Sequence, residues 1–137
     1  MIVRMAEPSD MDAVFALRYV VFVVGQDVPA DLERDDLDAV SDHAVALVDG
    51  VVVGTGRLLP DGTIGRMAVA DTARGQGIGA AVLRQLEQRA RDRQLSAVEL
   101  HAQVHATDFY AKAGYEPLGE VYLEAGIEHR SMRKLLV

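Results

Sequence analysis

"TIGRMAVADTARGQGIGAAV", residues 63 to 82, passes from an alternating, strand-like run into a cluster of three glycines and then into a helical pattern. The glycines stand at positions 75, 77 and 79, with Arg74 directly before them. Gly75, Gly77 and Ala80 satisfy G-x-G-x-x-A, the spacing of a dinucleotide-binding turn, but the context rejects that reading. In such a turn the first glycine ends the strand, whereas here Ala70 to Arg74 intervene after "GRMAV". Glu99 lies at roughly the separation of a ribose ligand, yet inside the run "AVELHA" and not at its end. A Walker-type loop needs Gly-Lys-Ser or Gly-Lys-Thr, and the stretch has no lysine. A plain connector gains nothing from residues that each cost a helix about 1 kcal/mol relative to alanine. The pattern therefore reads as a helix N-terminus whose bare N–H groups and positive dipole end cradle an anion, with Arg74 adding a charge that can reach the same anion.

Working outward, residues 43 to 69 hold three β-rich runs separated by Asp49-Gly50 and Pro60-Asp61-Gly62, turn sequences at hairpin spacing, so an antiparallel meander precedes the glycines. After them, Ile78, Val82, Leu86 and Ala90 share one face of a helix from Gly77 to Arg93, and Arg89, Arg91 and Arg93 suit its C-terminal dipole. "AVELHA", residues 97 to 102, reads as a fifth strand. Thr107 to Ala113 reads as a short helix stopped by Gly114, and two last strands flank Gly126. At the other end, "IVRMA" is strand-like. Ser9 and Asp10 offer cap oxygens, and Met11, Val14, Phe15, Arg18, Val21 and Phe22 recur at helical spacing. Residues 25 to 42, broken by Gly25 and Pro29, read as irregular with at most a short helical turn. Their acidic run "DLERDDLD" reads as a solvated loop, or more sharply as a lid that attracts a cationic amine. The fold class is α/β: a mixed, mostly antiparallel sheet of about seven strands, helices on both faces, and one strand–helix–strand crossover near the middle.

The chain has 137 residues, half of them apolar, which predicts one domain spanning residues 1–137. Its 21 acidic and 14 basic side chains give a net charge of −7, which argues against a nucleic-acid partner and suits a cationic substrate. There is no cysteine, so no disulfide framework is expected. No apolar run approaches the ~20 residues of a membrane span, and no secretory leader is evident, so no membrane partner and a cytoplasmic location are expected.

Arg74-Gly75-Gln76-Gly77-Ile78-Gly79, after a strand ending in "RMAV", resembles the Gln/Arg-x-x-Gly-x-Gly/Ala signature of the GNAT superfamily of acetyl-CoA-dependent N-acyltransferases. "DFYAKAGYEPLGE", residues 108 to 120, resembles that family's second landmark, and the element order is similar to the GNAT fold. "LRYVVFVVGQDVP" and "EAGIEHRSM" are similar to a bacterial subgroup whose substrates are mostly unassigned. The resemblance implies that the backbone of Arg74, Gly75, Gln76, Gly77, Ile78 and Gly79, with Ala80, binds the pyrophosphate of CoA in a seam between splayed parallel strands. Met67, Ala68 and Val69 would pair with the pantetheine arm, one of their N–H groups polarising the thioester carbonyl. Gln103 falls where the family often has an asparagine, an amide able to bridge backbone and cofactor or to order a loop.

The implied function is direct transfer of the acetyl group of acetyl-CoA to a primary amine of a small molecule or peptide. An alkylamine with a pKa near 10 is about one part in a thousand neutral at pH 7, so a proton must be removed, and the thiolate must be reprotonated or stabilised. Tyr110 matches the family position whose hydroxyl faces the sulfur and is the candidate catalytic acid. Two glutamates common in the family are absent, since Ile64-Gly65-Arg66-Met67 opens the strand and Gly25 stands in "FVVGQ". That leaves His101, His105, Glu99 or a water chain as the base, and it motivates a rival reading as a non-catalytic acyl-CoA-binding or sensing module. His101 and His105 have the i, i+4 spacing of a zinc motif but span a strand and a loop, so no metal is expected. A homodimer is compatible with this reading.

Overall fold

The computed structural model describes residues 1–136. In chain order its principal elements are β1 (Ile2–Met5), α1 (Met11–Arg18), α2 (Ala30–Glu33), β2 (Asp42–Val48), β3 (Val51–Leu58), β4 (Thr63–Val69), α3 (Ile78–Asp92), β5 (Ala97–Gln103), α4 (Thr107–Lys112), β6 (Glu116–Glu124) and β7 (Ile127–Leu135). Seven strands form one sheet in the order β1-β2-β3-β4-β5-β7-β6. Every neighbouring pair is antiparallel except β4 and β5, which the α3 crossover makes parallel. The meander expected from the turn sequences is β2-β3-β4. Asp49 and Gly50 both adopt positive φ, 51° and 78°, as a type I′ hairpin turn requires. Among the described residues no helix is long and apolar enough to cross a membrane.

The sheet carries an apolar layer on each face. Ile78, Val82, Leu83, Leu86 and Ala90 of α3 are buried with Ala44, Ala46, Leu58, Ile64, Val98 and Leu100. Full burial of a Val, Leu or Ile side chain contributes about 1.5–3 kcal/mol, so this stripe outweighs the helix-propensity cost of a glycine in the first turn. Leu17 of α1 and Val21 pack with Ala68 in a second, smaller cluster. Its members Val52 and Ala68 belong there because the register slips by one residue in β3, and again in β4 where Arg66 and Met67 together oppose Gly56. Each extra residue reverses the alternation of side chains between the faces.

Two sequence expectations change. The helix begins at Ile78, with Gly77 as its N-cap and Gly75 in the preceding loop, both left-handed at φ 78° and 76°. Only Gly79 lies in the first helical turn, so two of the three glycines are required by backbone conformation. Residues 25 to 42 are mostly exposed and hold short helical turns, as expected, but the acidic run is not wholly solvated. After α1 the chain continues as a π-helical segment, Tyr19–Val24, then forms α2 and a 3-10 helix at Asp36–Val40, and Glu33 is buried.

Gly54 sets how closely α3 can approach. A Cβ there would lie 2.6 Å from Cγ2 of Ile78 and 3.3 Å from Cβ of Ala46. Cγ2 sits on the branched carbon of isoleucine and cannot swing away freely. Gly54→Ala is expected to lower stability by about 1–3 kcal/mol in chemical denaturation. An unchanged midpoint would mean that the start of α3 lifts from β3 without cost.

Candidate functional site

β4 and β5 pair only at Thr63↔Glu99 and Ile64↔Leu100. Beyond that point β4 stays with β3 and β5 stays with β7, so the two strands part and the β5-facing edge of Met67, Ala68 and Val69 has no strand partner among the described residues. A cleft of about 840 Å³ opens between them, in the size range of small-molecule and cofactor sites. Met67, Ala68, Val69, Arg74, Gln103 and Tyr110, all singled out from sequence, line it.

Arg74 and Val69 line the cleft, whereas the glycine segment that follows, residues 75–80, lies outside its lining, with a Cβ at Gly79 falling 3.7 Å from Val69 Cγ2. Among the described hydrogen bonds, none of the backbone N–H groups from Gly75 to Ala80 finds an acceptor. A row of free donors at the positive end of a four-turn helix is chemically able to take an anion. Packing does not demand a glycine at position 79, where a Cβ would make only an ordinary 3.5 Å contact with Phe109. The bare backbone there widens access to the donors. Arg74 is less free than the sequence implies: Nη1 is 2.8 Å from Asp71 Oδ1, and Nε donates to the Val69 carbonyl.

Tyr110 projects from α4 into the same cleft, packed edge-on against Phe109 and Tyr115 with centroids 5.0 and 5.9 Å away. Burial pushes its phenol up to about 12. Its hydroxyl enters none of the described side-chain hydrogen bonds, in contrast to Tyr115, whose hydroxyl donates to Glu87 at 2.8 Å. Gln103 exchanges two hydrogen bonds with Gln26, at 2.8 and 3.2 Å, and so ties the end of the π-helical segment to β5.

Residues 21–136 match the family model described as an acetyltransferase (GNAT) domain. The chain belongs to the GNAT acetyltransferase family. YjcF of Bacillus subtilis (strain 168), described as an uncharacterized N-acetyltransferase, is 40% identical over 124 residues, covering 88% of this chain and 89% of its own. ElaA of Escherichia coli (strain K12) is 32% identical over 137 residues, covering 94% and 90%. The crystal structure of an acyl-CoA N-acyltransferase from Pseudomonas aeruginosa superposes with a TM-score of 0.85 at 35% identity, covering 97% and 98%.

The other wall of this GNAT cleft is an ionic network that the sequence did not reveal. Arg18, almost wholly buried, donates from Nε to both Glu33 oxygens at 3.0 and 3.1 Å and from Nη1 to Asp38 at 2.7 Å. Arg57 reaches Asp35 at 2.7 Å and Asp38 at 2.9 Å. Arg66, at the β4 bulge with φ 50°, reaches Glu33 at 3.0 Å and Asp35 at 3.3 Å. Three guanidinium groups thus balance three carboxylates. The acidic run, read from sequence as solvated, instead sends Glu33 and Asp38 inward. Arg18 standing on the apolar stripe of α1, opposite a run of acids, was the available signal.

A second polar group lies at the tip of the β6–β7 hairpin, whose Ala125 and Gly126 both have positive φ, 52° and 76°. Glu124 and His129 line the cleft there, together with His101 of β5. His101 Nδ1 is 3.2 Å from Glu124, and His129 Nε2 is 3.7 Å from its other oxygen. Of the remaining base candidates, His105 lines the cleft and Glu99 does not.

Breaking a buried ion pair from one side leaves a charge unmatched, so Glu33→Gln is expected to cost about 3–5 kcal/mol by denaturant titration. Burial would raise the Asp38 carboxyl, but hydrogen bonds from Arg18, the Asp35 backbone and Arg57 outweigh it and hold it at about 2. A lowered carboxylate stabilises the fold above its unfolded value, near 3.9, and that contribution fades as the pH falls toward 2. Acid unfolding followed by circular dichroism should steepen in that window, and Asp38→Asn should remove this part of the slope.

Proposed function

We propose that the protein transfers the acetyl group of acetyl-CoA directly to a primary amine of a small molecule or peptide. The observation that carries this is the row of unpartnered N–H groups from Gly75 to Ala80, directly after Arg74 of the cleft lining, together with the unpaired edge of Met67–Val69 along the cleft. A pyrophosphate satisfies the first and an extended, amide-bearing arm satisfies the second, in the manner of an added strand. CoA carries both groups at one end of a thioester. Gln103, held by Gln26, stands beside that arm on the β5 wall.

An alkylammonium must lose a proton before it attacks, which costs about 4 kcal/mol at pH 7, and the sulfur must gain one as it leaves. Tyr110 supplies the second proton. Between a phenol near 12 and a thiol near 8.5, full transfer would be uphill by about 5 kcal/mol, so Tyr110 donates as its own proton is replaced and never persists as the anion. The chain has no cysteine, the side chain best suited to holding an acyl group, and direct transfer fits that composition.

Tyr110→Phe is expected to lower kcat by about 10²-fold while CoA affinity, measured by calorimetry, stays within twofold. Unchanged turnover would remove Tyr110 from the chemistry. Thiol release from acetyl-CoA across a panel of amines tests the function itself. CoA binding with no turnover on any amine would favour the rival reading of an acyl-CoA-binding module, for which the missing β4 glutamate speaks.

A further inference from the structure

The acceptor amine needs a base, and β4 offers none at the split: Gly65 has no side chain, and the Arg66 guanidinium is engaged by Glu33 and Asp35. The strand across the split does offer one. Ile64 and Leu100 form the last β4–β5 pair and both are buried in the α3 layer, so the next residues, Gly65 and His101, turn to the opposite face, toward the cleft. A Cβ at Gly65 would meet nothing within 4 Å, which leaves open space on that face of β4, across the split from His101.

The His101 ring is oriented. Its Nδ1 lies 3.2 Å from Glu124 Oε1, and a carboxylate only accepts, so Nδ1 carries a hydrogen, which in the neutral ring leaves the lone pair on Nε2. Tyr122 packs edge-on against the same ring with centroids 6.0 Å apart. His129 is fixed separately, its Nδ1 donating to the Ile127 carbonyl at 2.7 Å while its ring stacks on Tyr122. His105 also lines the cleft, but no described hydrogen bond orients it.

We infer that His101 Nε2 is the general base that takes the first proton from the acceptor ammonium, and that Glu124 is the positioning residue that holds its tautomer and balances the imidazolium. The inference rests on the acyl-transfer reading above. In the step, the ammonium N–H bond breaks toward Nε2 and the freed lone pair forms the C–N bond at the thioester carbon. Collapse of the tetrahedral adduct breaks the C–S bond. The second amine proton reaches the departing sulfur by way of Tyr110, and His101 releases its proton to solvent. The charged and titratable groups facing His101 are Glu124 and Tyr122 on β6, His129 on β7, Asp61 in the β3–β4 turn and Glu99 on its own strand.

The test is the pH profile of kcat/KM for the full chain with acetyl-CoA and an amine that the wild type acetylates. An acidic limb is expected, because the base must be unprotonated to act. His101→Gln should abolish that limb and lower kcat by about 10²-fold, with the KM for acetyl-CoA and the melting temperature unchanged, since the side chain is 42% exposed. Glu124→Gln should lower kcat about tenfold, less than loss of the base itself. Nitrogen NMR of the His101 ring gives a readout independent of turnover: the Nδ1–H tautomer in the wild type and a mixture in Glu124→Gln. Wild-type turnover with an intact limb and kcat within twofold in His101→Gln would overturn this assignment alone, as would an Nε2–H tautomer in the wild type. Absence of wild-type turnover on every amine would overturn the acyl-transfer reading, and this one with it.

Discussion

Arg66 holds a left-handed backbone conformation in the middle of a strand, and the site depends on it. For a non-glycine residue that conformation costs on the order of 1 kcal/mol or more and persists only where neighbours impose it. Its guanidinium donates to the Glu33 and Leu32 carbonyls and pairs with the Glu33 and Asp35 carboxylates, so the segment before β2 clamps the bulge. The extra residue shifts the phase of β4: Met67 and Val69 join Ile64 against the α3 layer, while Gly65 and Ala68 face the other way. With its pleat displaced, β4 keeps two pairs with β5 and then departs. The unpaired edge and the cleft are consequences of that departure.

The same clamp joins the two ends of the site. Glu33 receives Arg18 from α1 and Arg66 from β4, and Asp38 receives Arg18 and Arg57, so the acidic segment cannot move without disturbing the strand that lines the cleft. Buried ion pairs contribute little net stability compared with apolar packing of the same volume. Here their effect is geometric: they fix one arrangement of a segment that has few apolar anchors. At the opposite end, Gly54 lets Ile78 lie directly on β3, so the first turn of α3 is fixed relative to the same strand system.

Much of this was legible in the sequence, for identifiable reasons. The meander, the α3 stripe and the crossover rest on local signals, namely Asp49-Gly50, Pro60-Asp61-Gly62 and the period of Ile78, Val82, Leu86 and Ala90. The glycine cluster and Tyr110 carry the family motif; Tyr110 and Arg74 line the cleft, while residues 75–80 lie outside its lining. What was not legible is long-range. Arg18 and Glu33 are fifteen residues apart and Arg66 and Glu33 thirty-three, and no local pattern reports that an acidic run will be met by three arginines from separate elements. The pairing of His101 with Glu124 depends on the β5-β7-β6 order, and the exchange between Gln103 and Gln26 on where the π-helical segment ends.

The central claim is that the split between β4 and β5, with the glycine segment that follows Arg74, is the seat of CoA. The most direct measurement is a titration of the isotopically labelled protein with CoA, followed by the backbone amide resonances. The amides of Gly75 to Ala80 and of Met67 to Val69 should show the largest shifts and saturate together with one dissociation constant. Shifts concentrated elsewhere, or no shift at these amides with millimolar CoA, would contradict the account.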